Sequence, residues 1–290
     1  MKGKRVLVIG GAGFIGSHLC ERLKNDGNHV ASIDNYFTGH ERNHRPGIAY
    51  YPYSTDELLN SPFVYEAKFD VVYHLGEYSR VEQSFDDIRL VHQYNTQGTF
   101  QVLEYIRDTG AKLIYAGSST KFSDNGADAS PYAFTKAQNT QLVMNYGKWF
   151  NIDYAITYFY NVYGGREISE GKYATLIALF QEKIRKGQKL SVVSPGTQKR
   201  NFTYIDDIIN ALVVIGQHGQ GDGYGIGCDK SYSILEVAEM FGGEIEMLPE
   251  RPGNRMSGEV VTEKTKSLGW EAKHNLKDYI TYNSAKLRAG

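Results

Sequence analysis

The chain has 290 residues, enough for about two domains of ordinary size, and its 41% hydrophobic and 22% charged residues are typical of a globular protein. Lys and Arg number 32 against 33 Asp and Glu, and the resulting net charge of −1 argues against a nucleic-acid partner, because nucleic-acid-binding proteins carry a basic excess. Two cysteines are too few for a disulfide scaffold or a Cys-rich site, and we expect no metal. No apolar run approaches the roughly 20 residues that span a bilayer. We therefore expect a soluble, cytoplasmic protein with no membrane partner.

The first predicted strand ends in a glycine-rich loop. Val6–Ile9 is a short apolar run, and helical periodicity begins again at Ser17–Lys24. Glycines between a strand and a helix allow a tight turn, close approach of the backbone to a pyrophosphate, and close packing of the helix on the strand. The loop predicts a dinucleotide site, and its candidate cofactor-binding residues are Gly10, Gly13, Phe14, Ile15 and Gly16.

The second predicted strand, His29–Ile33, ends in an acid about 20 residues beyond Gly16. A carboxylate at Asp34 accepts hydrogen bonds from an adenosine ribose and repels a 2′-phosphate, and Asn35 and Tyr36 supply no arginine. We therefore predict NAD rather than NADP, with Asp34 and Asn35 among its ligands. A glycine-rich turn without a ligand is the plain alternative, but the strand, loop, helix and terminal acid together favour the dinucleotide.

Apolar strands and helical segments then alternate along the chain, which predicts a parallel sheet with ligands beyond the carboxyl ends of its strands. The further predicted strands are Asp70–Leu75, Lys112–Ala116, Tyr154–Tyr158, Leu190–Val193 and Tyr224–Gly227, and the predicted helices are Val91–Asp108, Pro131–Phe150, Lys172–Gly187 and Asp206–Gly216. We predict an α/β fold, a Rossmann-type doubly wound parallel sheet with a smaller α/β C-terminal substrate domain. The cofactor domain is predicted over residues 1–162 and 204–228, and the substrate domain over 163–203 and 229–290.

A cluster of reactive side chains follows the strand Lys112–Ala116. Ser118 and Thr120 come directly after this strand, and Tyr132 and Lys136 lie one turn apart at the start of the next helix. A lysine ammonium near a phenol favours the phenolate, which can then act as a base near neutral pH. A tyrosine and a lysine at this spacing also occur by chance, but their place after a dinucleotide loop and a serine-rich strand end indicates a catalytic pair.

In this order, the motifs resemble those of the extended short-chain dehydrogenase/reductase family. The chain is most similar to the nucleotide-sugar 4-epimerases, of which UDP-galactose 4-epimerase is a member. The resemblance rests on Gly10–Leu19, Asp34–Asn35, Asn95–Thr99, Ser118, Tyr132 with Lys136, Asn161–Gly164, Arg200–Phe202 and Arg251–Gly253.

The resemblance implies an NAD-dependent enzyme that takes a nucleotide-diphosphate sugar and forms a homodimer through a bundle of the helices over Tyr94–Arg107 and Phe134–Phe150. The implied catalytic residues are Ser118, Thr120, Tyr132 and Lys136. The cofactor site would add Leu75, Gly76, Asn95, Tyr132 and Lys136 to the residues named above. The implied substrate-binding residues are Tyr78, Ser118, Ser119, Asn161, Arg200 and Arg251.

The implied reaction interconverts UDP-glucose and UDP-galactose, or a related UDP-hexose, through a transient 4-keto intermediate. A 4,6-dehydratase, a decarboxylase or a reductase that uses NAD is the alternative, and a non-catalytic NAD-binding protein is a further one. Dehydratases of the family commonly carry an Asp-Glu pair after the threonine, and UDP-glucuronate decarboxylases a Glu near it. Here Lys121 and Phe122 follow Thr120, which disfavours both. Glu77 replaces a small residue typical of the family and, as an unassigned candidate acid, keeps these alternatives open.

Overall fold

The computed structural model describes residues 1–122, 129–250 and 260–289, without side chains for 121, 122 and 284–289. Its strands are β1 Arg5–Ile9, β2 His29–Ile33, β3 Ala49–Tyr51, β4 Val71–His74, β5 Lys112–Ala116, β6 Tyr154–Phe159, β7 Val162–Tyr163, β8 Leu190–Val193, β9 Lys199–Asn201, β10 Thr203–Tyr204, β11 Gly221–Ile226, β12 Ser231–Ser233 and β13 Ile245–Leu248. Its α-helices are α1 Phe14–Asn25, α2 Pro62–Ala67, α3 Ile88–Val91, α4 Gly98–Thr109, α5 Pro131–Phe150, α6 Leu176–Arg185, α7 Ile205–His218, α8 Ile234–Phe241, α9 Glu263–Lys266 and α10 Leu276–Ala289.

Seven parallel strands form the central sheet, in the order β11-β6-β5-β4-β1-β2-β3. This confirms the predicted doubly wound α/β fold. In the register, Ile9 at the end of β1 lies between Ile33 on β2 and His74 on β4. The carboxyl ends of these strands therefore meet at one edge of the sheet, where ligands of such folds bind.

Helices cover both faces of this sheet because its strands are apolar on both sides. On one face, Leu19 of α1 and Leu212 of α7 pack against Val6 and Val8, and all four side chains are fully buried. On the other face, helices α4 and α5 form a second apolar cluster with Leu7, Ile9 and Leu113. Each fully buried aliphatic side chain contributes about 2 kcal/mol to this packing, which fixes the sheet edge that carries the site.

A third apolar cluster lies outside the central sheet. It joins α6, α8 and α10 to the short strand β8, and Phe180, Val192, Phe241 and Ile280 are at its centre. Trp270 belongs instead to the cluster of α1 and α7, and its indole donates a hydrogen bond of 2.8 Å to the Asp207 carbonyl. The division of the chain into a cofactor domain and a substrate domain stays a prediction.

Two predicted helices have different bounds in the structure. The helix predicted over Val91–Asp108 is α3, a π-helical turn over His92–Gln97 and then α4, and such turns occur often at functional sites. The helix predicted from Lys172 begins only at Leu176. Within the described ranges, no helix combines the length and the apolar character that a membrane crossing requires.

Candidate active site

A cavity of about 1350 Å3 runs along the carboxyl edge of the sheet and continues toward the third apolar cluster. The predicted site residues that line it are Gly10, Gly13, Phe14, Ile15, Gly16, Asp34, Asn35, Leu75, Gly76, Tyr78, Ser118, Ser119, Thr120, Tyr132, Lys136, Asn161 and Arg200. The fold thus brings the predicted cofactor, catalytic and substrate residues to one cavity. Arg251 lies outside the described residues.

The glycine loop fits a pyrophosphate. Gly10 has φ +83°, and a Cβ at Gly16 would lie 2.1 Å from the Gly10 carbonyl oxygen, so both positions require glycine. Gly13 precedes α1 and provides no side-chain cap, and the first N–H groups of a helix, here those of Phe14 and Ile15, have no acceptor within it. These donors at the positive end of the helix dipole form the cradle that an anionic ligand needs.

Asp34 is held beside this loop. One of its carboxylate oxygens accepts a hydrogen bond from the Ala12 amide at 2.9 Å, and the other accepts one from the Tyr36 amide at 2.8 Å. Burial raises the pKa of Asp34, and these amide hydrogen bonds oppose the rise. The carboxylate therefore has a fixed position at the end of β2, where it suits an adenosine ribose.

Three hydroxyls converge at the end of β5. The Tyr132 hydroxyl donates to Ser118 Oγ at 3.1 Å, and Ser118 Oγ lies 2.9 Å from Thr120 Oγ1. Ser130 caps α5 by accepting a hydrogen bond of 3.1 Å from the Ala133 amide, and Pro131 occupies the first helical position. This helix start places Tyr132 in the first turn of α5, next to the strand end that carries Ser118.

Lys136 forms a buried ion pair with Glu77, which the sequence showed only as an unusual acid in the loop after β4. The Lys136 ammonium donates to Glu77 Oε2 and to the Ala116 carbonyl. Burial by itself raises the pKa of Glu77, but the charge of Lys136, with a smaller effect from His74, outweighs it and holds this pKa below its usual range. Glu77 is therefore an ionised partner of the lysine and not an available general acid at neutral pH.

Asn95 does not line the cavity. Its side chain is fully buried behind the wall, where it accepts a hydrogen bond of 2.7 Å from the Tyr78 amide and donates one of 3.0 Å to Thr135 Oγ1. These bonds connect the loop after β4 to α5. The amide of Asn95 is thus already bound to the protein, and its contact with the cofactor stays a prediction.

Arg80 and Glu167 also line the cavity, and neither is among the site residues predicted from the sequence. The Arg80 guanidinium donates two hydrogen bonds, of 2.7 and 3.0 Å, to the Tyr173 carbonyl. Glu167 accepts hydrogen bonds from the Thr175 hydroxyl at 2.6 Å and from the Gly164 amide at 2.7 Å. Burial raises the pKa of Glu167 to about 7 in spite of these bonds.

The predicted substrate residues lie around the same space. Tyr78 donates a hydrogen bond of 2.8 Å from its hydroxyl to Asp87 and lines the cavity. Asn161 donates to the Asn201 carbonyl at 2.9 Å, beside Arg200 on β9. Among the described residues, no group of three or more His, Cys, Asp or Glu side chains is placed to hold a metal ion.

Comparison with known proteins establishes the family. Residues 6–227 match the model of the NAD dependent epimerase/dehydratase family. The chain belongs to this family. The predicted family and its cofactor, NAD, are thereby confirmed, and the glycine cradle and Asp34 described above fit that cofactor.

Relatives of two activities match over most of the chain. UDP-glucuronic acid decarboxylase 1 of Xenopus tropicalis is 28% identical over 92% of this chain and 68% of that protein. A putative UDP-glucose 4-epimerase of Methanocaldococcus jannaschii is 29% identical over 95% of each chain. Epimerase and decarboxylase relatives thus occur side by side among the nucleotide-sugar enzymes of the family.

Two solved structures of 4-epimerases have a similar fold. The Thermus thermophilus UDP-glucose 4-epimerase in complex with NAD is 26% identical, with a TM-score of 0.87 over 99% of both chains. The UDP-glucuronic acid 4-epimerase of Bacillus cereus, in complex with NAD and a fluorinated substrate analogue, is 26% identical, with a TM-score of 0.86 over 98% of this chain and 99% of that one.

Proposed function

We propose that the protein is an NAD-dependent nucleotide-sugar 4-epimerase that interconverts UDP-glucose and UDP-galactose, or a related UDP-hexose, through a transient 4-keto intermediate. The observation that carries the proposal is the hydroxyl cluster of Tyr132, Ser118 and Thr120 at the end of β5. This cluster can bind one sugar oxygen and exchange a proton with it, which is the acid–base chemistry that epimerisation at C4 requires.

Tyr132 takes the proton of the C4 hydroxyl and gives it back when the sugar is re-formed. Ser118 and Thr120 hold the same oxygen by hydrogen bonds, and Lys136 holds the nicotinamide ribose with the N–H that its two protein partners leave. Bound NAD supplies the group that accepts hydride from C4 and returns it. Inversion at C4 would require the ketone to turn over in the cavity between the two transfers, so that its other face meets the cofactor.

Among the described residues, no acid directly follows Thr120, where dehydratases and decarboxylases of the family carry one. Position 121, directly after Thr120, is a lysine. Glu77 lines the cavity, but it binds Lys136 and accepts hydrogen bonds from Thr99 and Asn139 at 2.5 and 2.7 Å. A carboxylate with that many donors is stabilised in its ionised form, and it therefore has no proton to give to a leaving hydroxyl.

The rest of the cavity suits a nucleoside diphosphate sugar. We propose that Arg200 and Arg251 hold the diphosphate, since a guanidinium binds two phosphate oxygens at once, and that Asn161 contacts the sugar nucleotide. Tyr78 and Ser119 would contact the sugar. Asp34 and Asn35 would bind the adenosine ribose of NAD.

Arg80 favours a second candidate, a UDP-glucuronate decarboxylase. Its guanidinium is largely buried, lines the cavity, and binds only carbonyl and hydroxyl oxygens of Tyr173 and Ser79 among the described residues. A buried cation without a carboxylate partner is suited to a substrate carboxylate. Oxidation of a uronate at C4 gives a β-keto acid, which loses its carboxyl carbon as CO2 while C5 takes up a proton.

One experiment separates these functions. The purified protein is incubated with NAD and, in parallel, with UDP-glucose, UDP-galactose, UDP-glucuronate and GDP-, CDP- and dTDP-hexoses, and the products are followed by NMR and mass spectrometry. We expect UDP-glucose and UDP-galactose to interconvert without a change of mass. Conversion of UDP-glucuronate alone, with loss of CO2, would instead establish the decarboxylase. A steady rise in NADH absorbance would indicate net oxidation and would contradict both.

A further inference from the structure

We infer that Glu77 is a positioning residue for the catalytic lysine: it fixes the Lys136 ammonium beside the Ala116 carbonyl and neutralises part of the positive charge that Lys136 would otherwise present to Tyr132. The inference rests on the proposed roles of Lys136 and Tyr132. It assigns a function to an acid in the loop after β4, where the resemblance leads one to expect a small residue.

The Glu77 carboxylate is fixed by neighbours from three elements. The Glu77 and Lys136 side chains are only 3% and 6% exposed. Glu77 Oε1 accepts hydrogen bonds from Thr99 of α4 at 2.5 Å and from Asn139 of α5 at 2.7 Å. The Tyr115 hydroxyl of β5 lies 3.0 and 3.1 Å from the two carboxylate oxygens and donates to them. The carboxylate therefore cannot turn away from the lysine without breaking several buried hydrogen bonds.

The arrangement sets the direction of the ammonium. A lysine ammonium has three N–H donors, and Glu77 and the Ala116 carbonyl take two of them. The Tyr115 ring lies 4.9 Å from the ammonium and limits it on another side. One N–H donor is left for a ligand in the cavity, so the ammonium already has a fixed orientation when a ribose hydroxyl binds.

The arrangement also sets the local charge. His74 is fully buried, and burial lowers its pKa to about 4, so it is neutral at neutral pH. The pair itself then carries one positive and one negative charge, and the groups that face it from β4, β5, α4 and α5 are neutral: His74, Tyr115, Thr99 and Asn139. Arg80 lines the same cavity as Tyr132, and its guanidinium stays cationic because arginine keeps its proton in proteins. Without Glu77, a second uncompensated cation would stabilise the Tyr132 phenolate.

The first test measures the interaction between Glu77 and Lys136 through thermal stability alone. We compare the thermal midpoints of the wild type, Glu77→Gln, Lys136→Met and the double variant, with Lys189→Met as the control, since Lys189 forms an exposed pair with Glu244. Lys136→Met leaves a buried carboxylate unpaired, and we expect its midpoint to fall by about 5–10 °C. Glu77→Gln should restore most of that loss in the double variant. Equal losses with and without Glu77 would overturn the inference, whatever the enzyme acts on.

The second test measures the effect on Tyr132. We expect Glu77→Gln to move the low-pH limb of the kcat/KM profile about one unit toward lower pH, because it removes the negative charge that offsets Lys136, which lies one turn from Tyr132 in α5. Glu77→Asp, which retains the charge, should stay close to the wild type. The pH midpoint of the Tyr132 phenolate absorbance, measured without substrate, should shift in the same direction. The Tyr132 signal is the absorbance of the wild type or of Glu77→Gln minus that of the matching Tyr132→Phe derivative. An unshifted limb and an unshifted phenolate titration would overturn the inference, whereas a wild type that turns over no UDP-hexose would count against the proposed function alone.

Discussion

The Tyr132 hydroxyl donates a hydrogen bond of 3.1 Å to Ser118 Oγ, although the two residues belong to different elements, the first turn of α5 and the end of β5. Ser118 lies 2.9 Å from Thr120 Oγ1. A sugar hydroxyl that enters this cluster takes the place of one of these hydroxyl partners. The phenol is therefore in position for proton transfer before the substrate arrives.

Replacement of Tyr132 by Phe removes the proposed base and leaves the ring in place. We expect kcat for UDP-galactose to fall about 10³-fold, because general acid–base catalysis contributes that much, while the affinity for NAD and the thermal midpoint stay close to those of the wild type. Steady-state kinetics and NAD titration by fluorescence measure the two properties separately. Tyr282→Phe, at an exposed position of α10, is the matched control. A Tyr132→Phe enzyme with the kcat of the wild type would contradict the assigned role.

The glycine loop gives a paired test of fold and cofactor site. Gly16→Ala would place a Cβ 2.1 Å from the Gly10 carbonyl oxygen, whereas a Cβ at Gly165 would meet no atom within 4 Å. We expect Gly16→Ala to lower the free energy of unfolding by about 2–3 kcal/mol and to weaken NAD binding, because the backbone of the loop must move. Urea denaturation and calorimetry measure these effects. Gly165→Ala should leave both unchanged, and equal behaviour of the two variants would argue against a tightly packed cradle.

Local patterns predicted much of the fold and part of the site. The alternation of strands and helices, the glycine loop and the spacing of Tyr132 and Lys136 depend on residues close in sequence, and the observed sheet follows them. Lys136 and Glu77 are 59 positions apart, so no periodicity connects them, and only the charged character of the loop after His74 marked the acid. Asn95 shows a different limit of the sequence. Its motif was recognised, but the groups that its amide binds depend on how α5 packs.

Glu167 makes stability depend on pH in an unusual direction. Its pKa is raised from 4.5 to about 7 in the folded protein, so between these two pH values the folded state holds a proton that the unfolded state has lost. Stability therefore falls as the pH rises through this window, by about 3 kcal/mol from this group. Glu167→Gln should equal the wild type at pH 5 and exceed it at pH 8 in urea denaturation. A constant difference between the two proteins at both pH values would contradict the raised pKa.

The predicted homodimer depends on helices α4 and α5, and we propose that their outer faces meet those of a second copy. Phe100 and Phe134 are 46% and 52% exposed, Trp149 is 61% exposed, and a depression of about 630 Å3 lies between the two helices. Phe100→Glu would place a charge on this surface, and a buried unpaired charge opposes association. In sedimentation velocity we therefore expect a dimer for the wild type and a monomer for the variant. Phe85→Glu is the matched control, since Phe85 is 61% exposed but lies outside both helices, and it should remain dimeric. A wild type that sediments as a monomer at micromolar concentration would show the prediction to be wrong, whereas dissociation by both substitutions would place the interface elsewhere.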